Sequence, residues 1–268
     1  MTPPTDPVDH GTVYANGIEM YFDSAGEGDP LVLLHGGMAS NLGWMGQIDD
    51  FSARYRVIAP ERPGHGHTAD SAGPYSYEQM TDDTEAFLTG LGLPPVSVVG
   101  WSDGGIIALL LAITYPDLIS KVVVFGSNSS SEGYQPGGIG SLLDQPADGP
   151  EIADFRAMYD PVSPDGPDHF SVVWGKVRAL WSAPFDFTDR LTSIKVPTLV
   201  MVADDDLVTL EHATAMYRAL PEGELAVLPG LSHAAPMERP SLFNRIVLDF
   251  LSDETTHVMM PYRRASSG

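Results

Sequence analysis

The stretch VSVVGWSDGGIIALLLA, residues 96–112, sets a β-branched apolar run directly against an apolar helix-forming run, with one hydroxyl, Ser102, at the junction. Residues 96–99 read as a buried strand and 103–115 as a helix, so no loop separates the two. Side chains two positions from Ser102 would collide with the turn or with the adjoining strand and helix, which accounts for Gly100 and Gly104. The resulting G-x-S-x-G pattern presents a hydroxyl outward at the carboxyl end of a strand, where open parallel sheets keep their sites. The helix behind it directs free amides and a positive dipole end at any anion forming there. A glycine-rich turn of this kind also cradles phosphates, so a base and an acid elsewhere in the chain must decide between the two uses.

Outward from this junction, strand-like and helix-like segments alternate. TVYANGIEMYFDSAG (12–26), PLVLLHGG (30–37), YRVIAPERPGHG (55–66), KVVVFGSNS (121–129), PTLVMVADDD (197–206) and GELAVLPG (223–230) are rich in β-branched and aliphatic residues. Helical patterns at 76–91, 103–115 and 210–220 lie between several of them. Near-continuous apolar runs such as LVLL and TLVMV suit strands covered on both faces. An α/β fold follows: a mostly parallel central sheet of about eight strands flanked by helices, with the first two strands as an antiparallel leader. Residues 129–191 break the rhythm with Gly, Pro and aromatic residues and read as an insertion after the sixth strand. Residues 1–10 and 253–268 carry few core-forming residues and read as arms, with Val258, Met259, Met260 and Tyr262 as candidates for docking.

Whole-chain properties limit the function classes. The chain has 268 residues, 43% of them hydrophobic, enough for one domain of catalytic size. No apolar stretch reaches the roughly 18 residues that span a bilayer, and no signal-peptide pattern opens the chain, so a soluble, cytoplasmic protein is expected. With no cysteine, covalent chemistry falls to Ser, Thr, Asp, Lys or His. A formal charge of −22 repels nucleic acid and anionic membranes, leaving small molecules as the expected partners. Monomer and homodimer are both compatible with the sequence.

A serine hydroxyl near neutral pH attacks poorly unless an imidazole takes its proton. His233, in LPGLSHAAP, follows a strand-like run and a Gly-Leu-Ser turn, on the same rim as Ser102. The other histidines lie in an arm, a tail, the insertion, a helix or tight turns. His65 and His67 alone hint at a metal pair, and without a third ligand at matching spacing no metal is expected. The acid that orients His233 should also sit at a strand end, and Asp204, Asp205 and Asp206 are three consecutive candidates that residue chemistry does not separate. The two not chosen are expected to be solvated or to cap the helix starting near Thr209.

Together these motifs resemble the α/β-hydrolase superfamily over nearly the whole chain: HGG at 35–37 its oxyanion loop, RPGHGHT at 62–68 its R-G-x-G-x-S turn, GWSDGG its elbow, ADDDLV its acid turn and GLSH its histidine turn. Glu61 and Pro63 depart from the family pattern, which usually has Asp and Gly there. The resemblance implies Ser102, Asp206 and His233 as catalytic triad, and backbone amides of Asp103 and Gly37, or Met38, as oxyanion hole. It makes 129–191 a cap domain on a core of 1–128 and 192–268, and it implies no cofactor. The elbow also resembles that of valacyclovir-hydrolase-like esterases.

The implied activity is hydrolysis of a small to medium hydrophobic or aromatic ester or lactone through an acyl-enzyme. Peptidase, carbon–carbon bond hydrolase, perhydrolase and acyltransferase chemistry share the constellation, and a non-catalytic ligand-binding protein on this fold is the remaining alternative. Phe170, Val173, Trp174, Val177, Leu180 and Trp181 form an apolar face at helical spacing. Phe170, Trp174 and Trp181, with Met38, are the expected pocket residues.

Overall fold

The computed structural model describes residues 8–252 and 259–260. Eight strands form one sheet: β1 (Asp9–Ala15), β2 (Ile18–Ala25), β3 (Pro30–Leu34), β4 (Arg56–Pro60), β5 (Val96–Trp101), β6 (Ile119–Phe125), β7 (Thr198–Asp205) and β8 (Gly223–Ser232). Their spatial order is β1-β2-β4-β3-β5-β6-β7-β8. β1 and β2 form an antiparallel hairpin, β2 runs antiparallel to β4, and every pair from β4 to β8 is parallel. The hairpin takes up Asp9 and His10, so the expected N-terminal arm is shorter than the sequence implied. Of the remaining arm residues, Val8 is half-buried, Met259 and Met260 are exposed, and the others, His257, Val258 and Tyr262 included, lie outside the described residues.

Side chains alternate across each strand, so the near-continuous apolar strands feed two cores. Val32, Val98, Val122 and Val124 face one layer, with α2 (Tyr77–Gly90) and α3 (Asp103–Thr114) supplying Phe87, Ile107 and Leu111. Leu31, Val99, Val123 and Phe125 face the other, against Trp44, Phe51 of α1 (Ile48–Ser52) and Phe243 of the last helix. α2 begins at Ser76, whose hydroxyl accepts from the Gln79 amide as an N-cap. α3 is apolar all round, as a helix covered on every side must be.

Between β6 and β7 the chain makes α4 (Gly140–Leu143), α5 (Ala153–Tyr159) and α6 (Phe170–Ser182). After β7 come α7 (Leu210–Ala219), β8, α8 (Ala235–Glu238) and α9 (Pro240–Leu251). Asp70, on the loop after β4, ties the β6–β7 connection to the sheet: its carboxylate accepts from His169 Nε2 at 2.8 Å, Lys176 Nζ at 2.7 Å and Tyr75 Oη at 2.6 Å. Among the described residues no helix is long and apolar enough to cross a membrane.

Candidate active site

β5 ends at Trp101 and α3 starts at Asp103, leaving Ser102 alone between them with φ +55° and ψ −122°. Only Asn16 and Met38 share a positive φ among the described non-glycine residues, and for Ser102 the ψ also lies outside the left-handed helical well. Hydrogen bonds hold the strained residue: its amide donates to the Phe125 carbonyl at 2.9 Å, while its carbonyl accepts from the Gly105 amide at 2.9 Å, the Ile106 amide at 3.2 Å and Ser127 Oγ at 2.8 Å. A Cβ on Gly104 would lie 2.0 Å from the Leu34 carbonyl oxygen, and one on Gly100 would lie 2.4 Å from that of Gly104. The sequence pattern thus has a direct steric cause. As the first residue of α3, Asp103 also has an amide without an intrahelical acceptor.

The three consecutive aspartates part company at the end of β7. Between Ala203 and Asp205 the register with β8 shifts, pairing Ala203 with Leu228 but Asp205 with Ser232. Asp204 is exposed and its Oδ1 accepts from the Gly230 and Leu231 amides that the irregularity releases, which holds its carboxyl below the usual range. Asp205 is exposed. Asp206 turns inward and is fully buried at its carboxylate. Its Oδ2 accepts from the Ala203 amide at 3.1 Å, and its Oδ1 from the Val208 amide at 3.3 Å and from His233 Nδ1 at 2.7 Å. Both spare aspartates are solvated, one of the two expected outcomes, and Thr209 Oγ1 caps α7 by accepting from the His212 amide.

His233 sits directly after β8. Its carbonyl accepts from Trp101 Nε1 at 2.9 Å, and its ring packs by Phe125 and Trp101 at 6.4 and 6.2 Å. A Cβ on Gly126, whose φ is +58°, would stand 2.7 Å from His233 Nδ1. With Nδ1–H directed at a carboxylate, which only accepts, Nε2 is left as the proton acceptor.

A buried guanidinium shapes the loop opposite. Arg62 Nη1 donates to the His35 carbonyl at 2.5 Å and Nη2 to that of Gly36 at 3.0 Å. Burial brings Arg62 down to about 10, against the opposing field of Asp103. His35 donates from Nδ1 to the Gly36 carbonyl and accepts from the Arg62 amide, a neutral arrangement that fits its pKa, held well below the ordinary range by burial and by Arg62 and His65. Burial likewise lowers His65 to about 3. Glu61, one departure from the family pattern, is wholly buried and accepts from the His67 amide, His67 Nδ1 and the Asn41 amide. Burial outweighs these hydrogen bonds and raises its carboxyl. His65 and His67 therefore face different partners, and among the described residues no three potential ligands converge on a metal position.

Ser102, Asp103, His233, Gly36 and Gly37 all border one cavity of about 560 Å³. Most of its wall is apolar, and Trp181 contributes to it. The other expected pocket residues do not. Phe170 and Trp174 are 0% and 1% exposed and belong to the core cluster that fastens α6 down, so the apolar face of that helix is spent on packing. Met38 is buried, packs into the same cluster and does not line this cavity. The wall instead takes Leu142 and Phe155 from the β6–β7 connection, Leu42 and Met45 after β3, and Met237 after His233. Sequence reading missed these because short turns of helix carry no measurable period. Trp101, at the end of β5, lines the cavity as well.

A family model described as "Alpha/beta hydrolase family" matches residues 31–246. The chain is 27% identical to a 2-hydroxy-6-oxo-6-phenylhexa-2,4-dienoate hydrolase from Burkholderia cepacia, covering 87% of this chain and 91% of that one. It is 28% identical to the non-heme chloroperoxidase CPO-A1 of Kitasatospora aureofaciens, over 88% and 97% of the two chains. Among solved structures, one described as Est816, an N-acyl homoserine lactone degrading enzyme, superposes with a TM-score of 0.72 at 28% identity, covering 90% of this chain and all of the other.

Proposed function

Because this chain belongs to the alpha/beta hydrolase family, we propose that it is a cofactor-independent serine hydrolase of small to medium hydrophobic or aromatic esters or lactones. The observation that carries this reading is the 2.7 Å contact between His233 Nδ1 and Asp206 Oδ1, at the edge of a cavity that Ser102 also borders. Asp206 holds the imidazole in the tautomer whose Nε2 takes the Ser102 proton as Oγ attacks the substrate carbonyl. The tetrahedral oxyanion is met by the amides of Asp103 and Gly37, at the positive end of α3. Gly37 is preferred to Met38 because Gly37 borders the cavity. The imidazolium then protonates the leaving oxygen, and the same histidine activates the water that releases the acid.

In this reading residues 129–191 act as a cap over a core of 1–128 and 192–268. The lactone arm is supported by the likeness to Est816 and the apolar wall, which suits ligands of modest size. A second reading, hydrolysis of a carbon–carbon bond, is favoured by the likeness to the dienoate hydrolase, whose named substrate carries no ester. One experiment separates the two: turnover of p-nitrophenyl esters, lactones and a vinylogous 1,5-diketone, alongside fluorophosphonate labelling mapped by mass spectrometry. Ester or lactone turnover with label on Ser102, and both lost in Ser102→Ala, is expected. Turnover of the diketone alone would move the assignment to the second reading.

A further inference from the structure

We propose that this cavity takes uncharged substrates and turns away carboxylates, and that the side chain of Asp103 sets that choice; the inference rests on the serine hydrolase reading above. Asp103 follows Ser102 directly and is 3% exposed, yet it forms part of the cavity wall. Its carboxylate cannot swing aside. Oδ1 accepts from Tyr77 Oη at 2.9 Å and from Trp181 Nε1 at 3.2 Å, and Oδ2 accepts from the same indole at 3.0 Å. The oxyanion loop closes the arrangement, since a Cβ on Gly37 would lie 2.4 Å from Asp103 Oδ2 and 2.5 Å from Trp181 Cζ2.

A second carboxylate, Asp154, also borders the cavity, and no described Lys or Arg does. Arg62 is not available to a ligand, being fully buried with both terminal nitrogens on loop carbonyls. Lys176 is engaged by Asp70 and the Ser71 carbonyl. A substrate carboxylate entering this apolar space would lose its water, gain no cation and face a fixed like charge. The chain's formal charge of −22 adds long-range repulsion of the same sign. An uncharged ester of equal size meets none of these penalties, so the site discriminates by repulsion as well as by fit.

The test compares mono-p-nitrophenyl adipate with its methyl ester, which is matched in chain length and differs in charge. The methyl ester is expected to show a kcat/KM higher by at least about 100-fold, the scale of an uncompensated like-charge contact. Asp103→Asn keeps one acceptor oxygen for Trp181 or Tyr77 and should narrow that ratio at least about tenfold. Asp205→Asn, an exposed control off the cavity wall, should leave the ratio in place. A merely structural Asp103 would lower both rates together and leave the ratio as it was, which overturns the proposal, as does a wild-type ratio near one. Calorimetric titration of Ser102→Ala with dimethyl adipate and with adipate gives a readout free of turnover: only the diester is expected to bind. If neither ester is cleaved while that preference in binding remains, the hydrolase reading fails and the charge selectivity stands. Cleavage of both esters at equal rates has the opposite meaning.

Discussion

His233 and Asp206 come from the ends of neighbouring strands, and their side chains meet at 2.7 Å because the β7–β8 register shifts at that point. The same shift is caught by Asp204, whose Oδ1 takes the released Gly230 and Leu231 amides. Two acids separated by one residue thus meet one loop in different ways, Asp206 at the imidazole and Asp204 at the backbone that leads to it.

Substitution separates those roles. Asp206→Asn should lower kcat/KM for a neutral ester by about three to four orders of magnitude, since an amide facing Nδ1 favours the wrong tautomer. Asp205→Asn should change it less than about threefold, because exposed surface substitutions rarely reach the site. Asp204→Asn should fall between, with a loss of up to about tenfold that affects every substrate equally. Steady-state kinetics on the three variants decides; an essential Asp205 would shift the acid by one residue.

The two tryptophans of α6 should behave oppositely. Trp174 is buried, stands edge-on to Trp181 at 6.0 Å and donates from Nε1 to the Gln145 carbonyl. Trp174→Ala should cost about 3–5 kcal/mol of stability through the cavity it leaves. Selectivity among esters that remain bound should hardly change. Trp181→Ala should alter the ratio of bulky aromatic to acetate ester kcat/KM at a smaller cost in stability. Denaturation midpoints and the two kinetic ratios, measured side by side, check both halves.

Acid should destabilise the fold before its carboxylates titrate. His65 has a pKa lowered to about 3 in the folded chain, while the unfolded chain takes up that proton near the ordinary value of 6.5. Between those values the unfolded state binds more protons, so stability is present above about pH 6.5 and is lost as pH falls toward 3. His35 acts with the same sign. The thermal midpoint should therefore decline from about pH 6.5 downward. His65→Gln, which removes one titrating ring, should flatten that slope; an unchanged slope would show that His65 takes up its proton alike in the folded and unfolded chains.

Much of this molecule is legible locally. Gly100 is required by contacts within a single strand–turn–helix unit, where a Cβ would lie 2.4 Å from the Gly104 carbonyl oxygen, and Gly104 by the Leu34 carbonyl of the adjoining β3, and the spacing of both shows in the sequence. The near-continuous apolar strands likewise convey a sheet buried on both faces, because each strand alone sends its side chains to both. The order Ser102, acid, His233 is also readable, since it follows from which strands end in polar turns.

Other features depend on what packs against what. No property of ADDD distinguishes Asp206 from its neighbours until β8 pairs out of step with β7 and turns one carboxylate inward. The face of α6 shows that the helix is covered without showing by which layer, and the core claims Phe170 and Trp174 while the cavity receives Trp181. Asp103, a polar residue at a helix start by sequence, becomes a clamped carboxylate only when Tyr77 and Trp181 arrive from 26 and 78 residues away. Local steric demands are written in residue spacing; the direction of a side chain at an element's end is decided by partners distant in the chain, and so only by the tertiary structure.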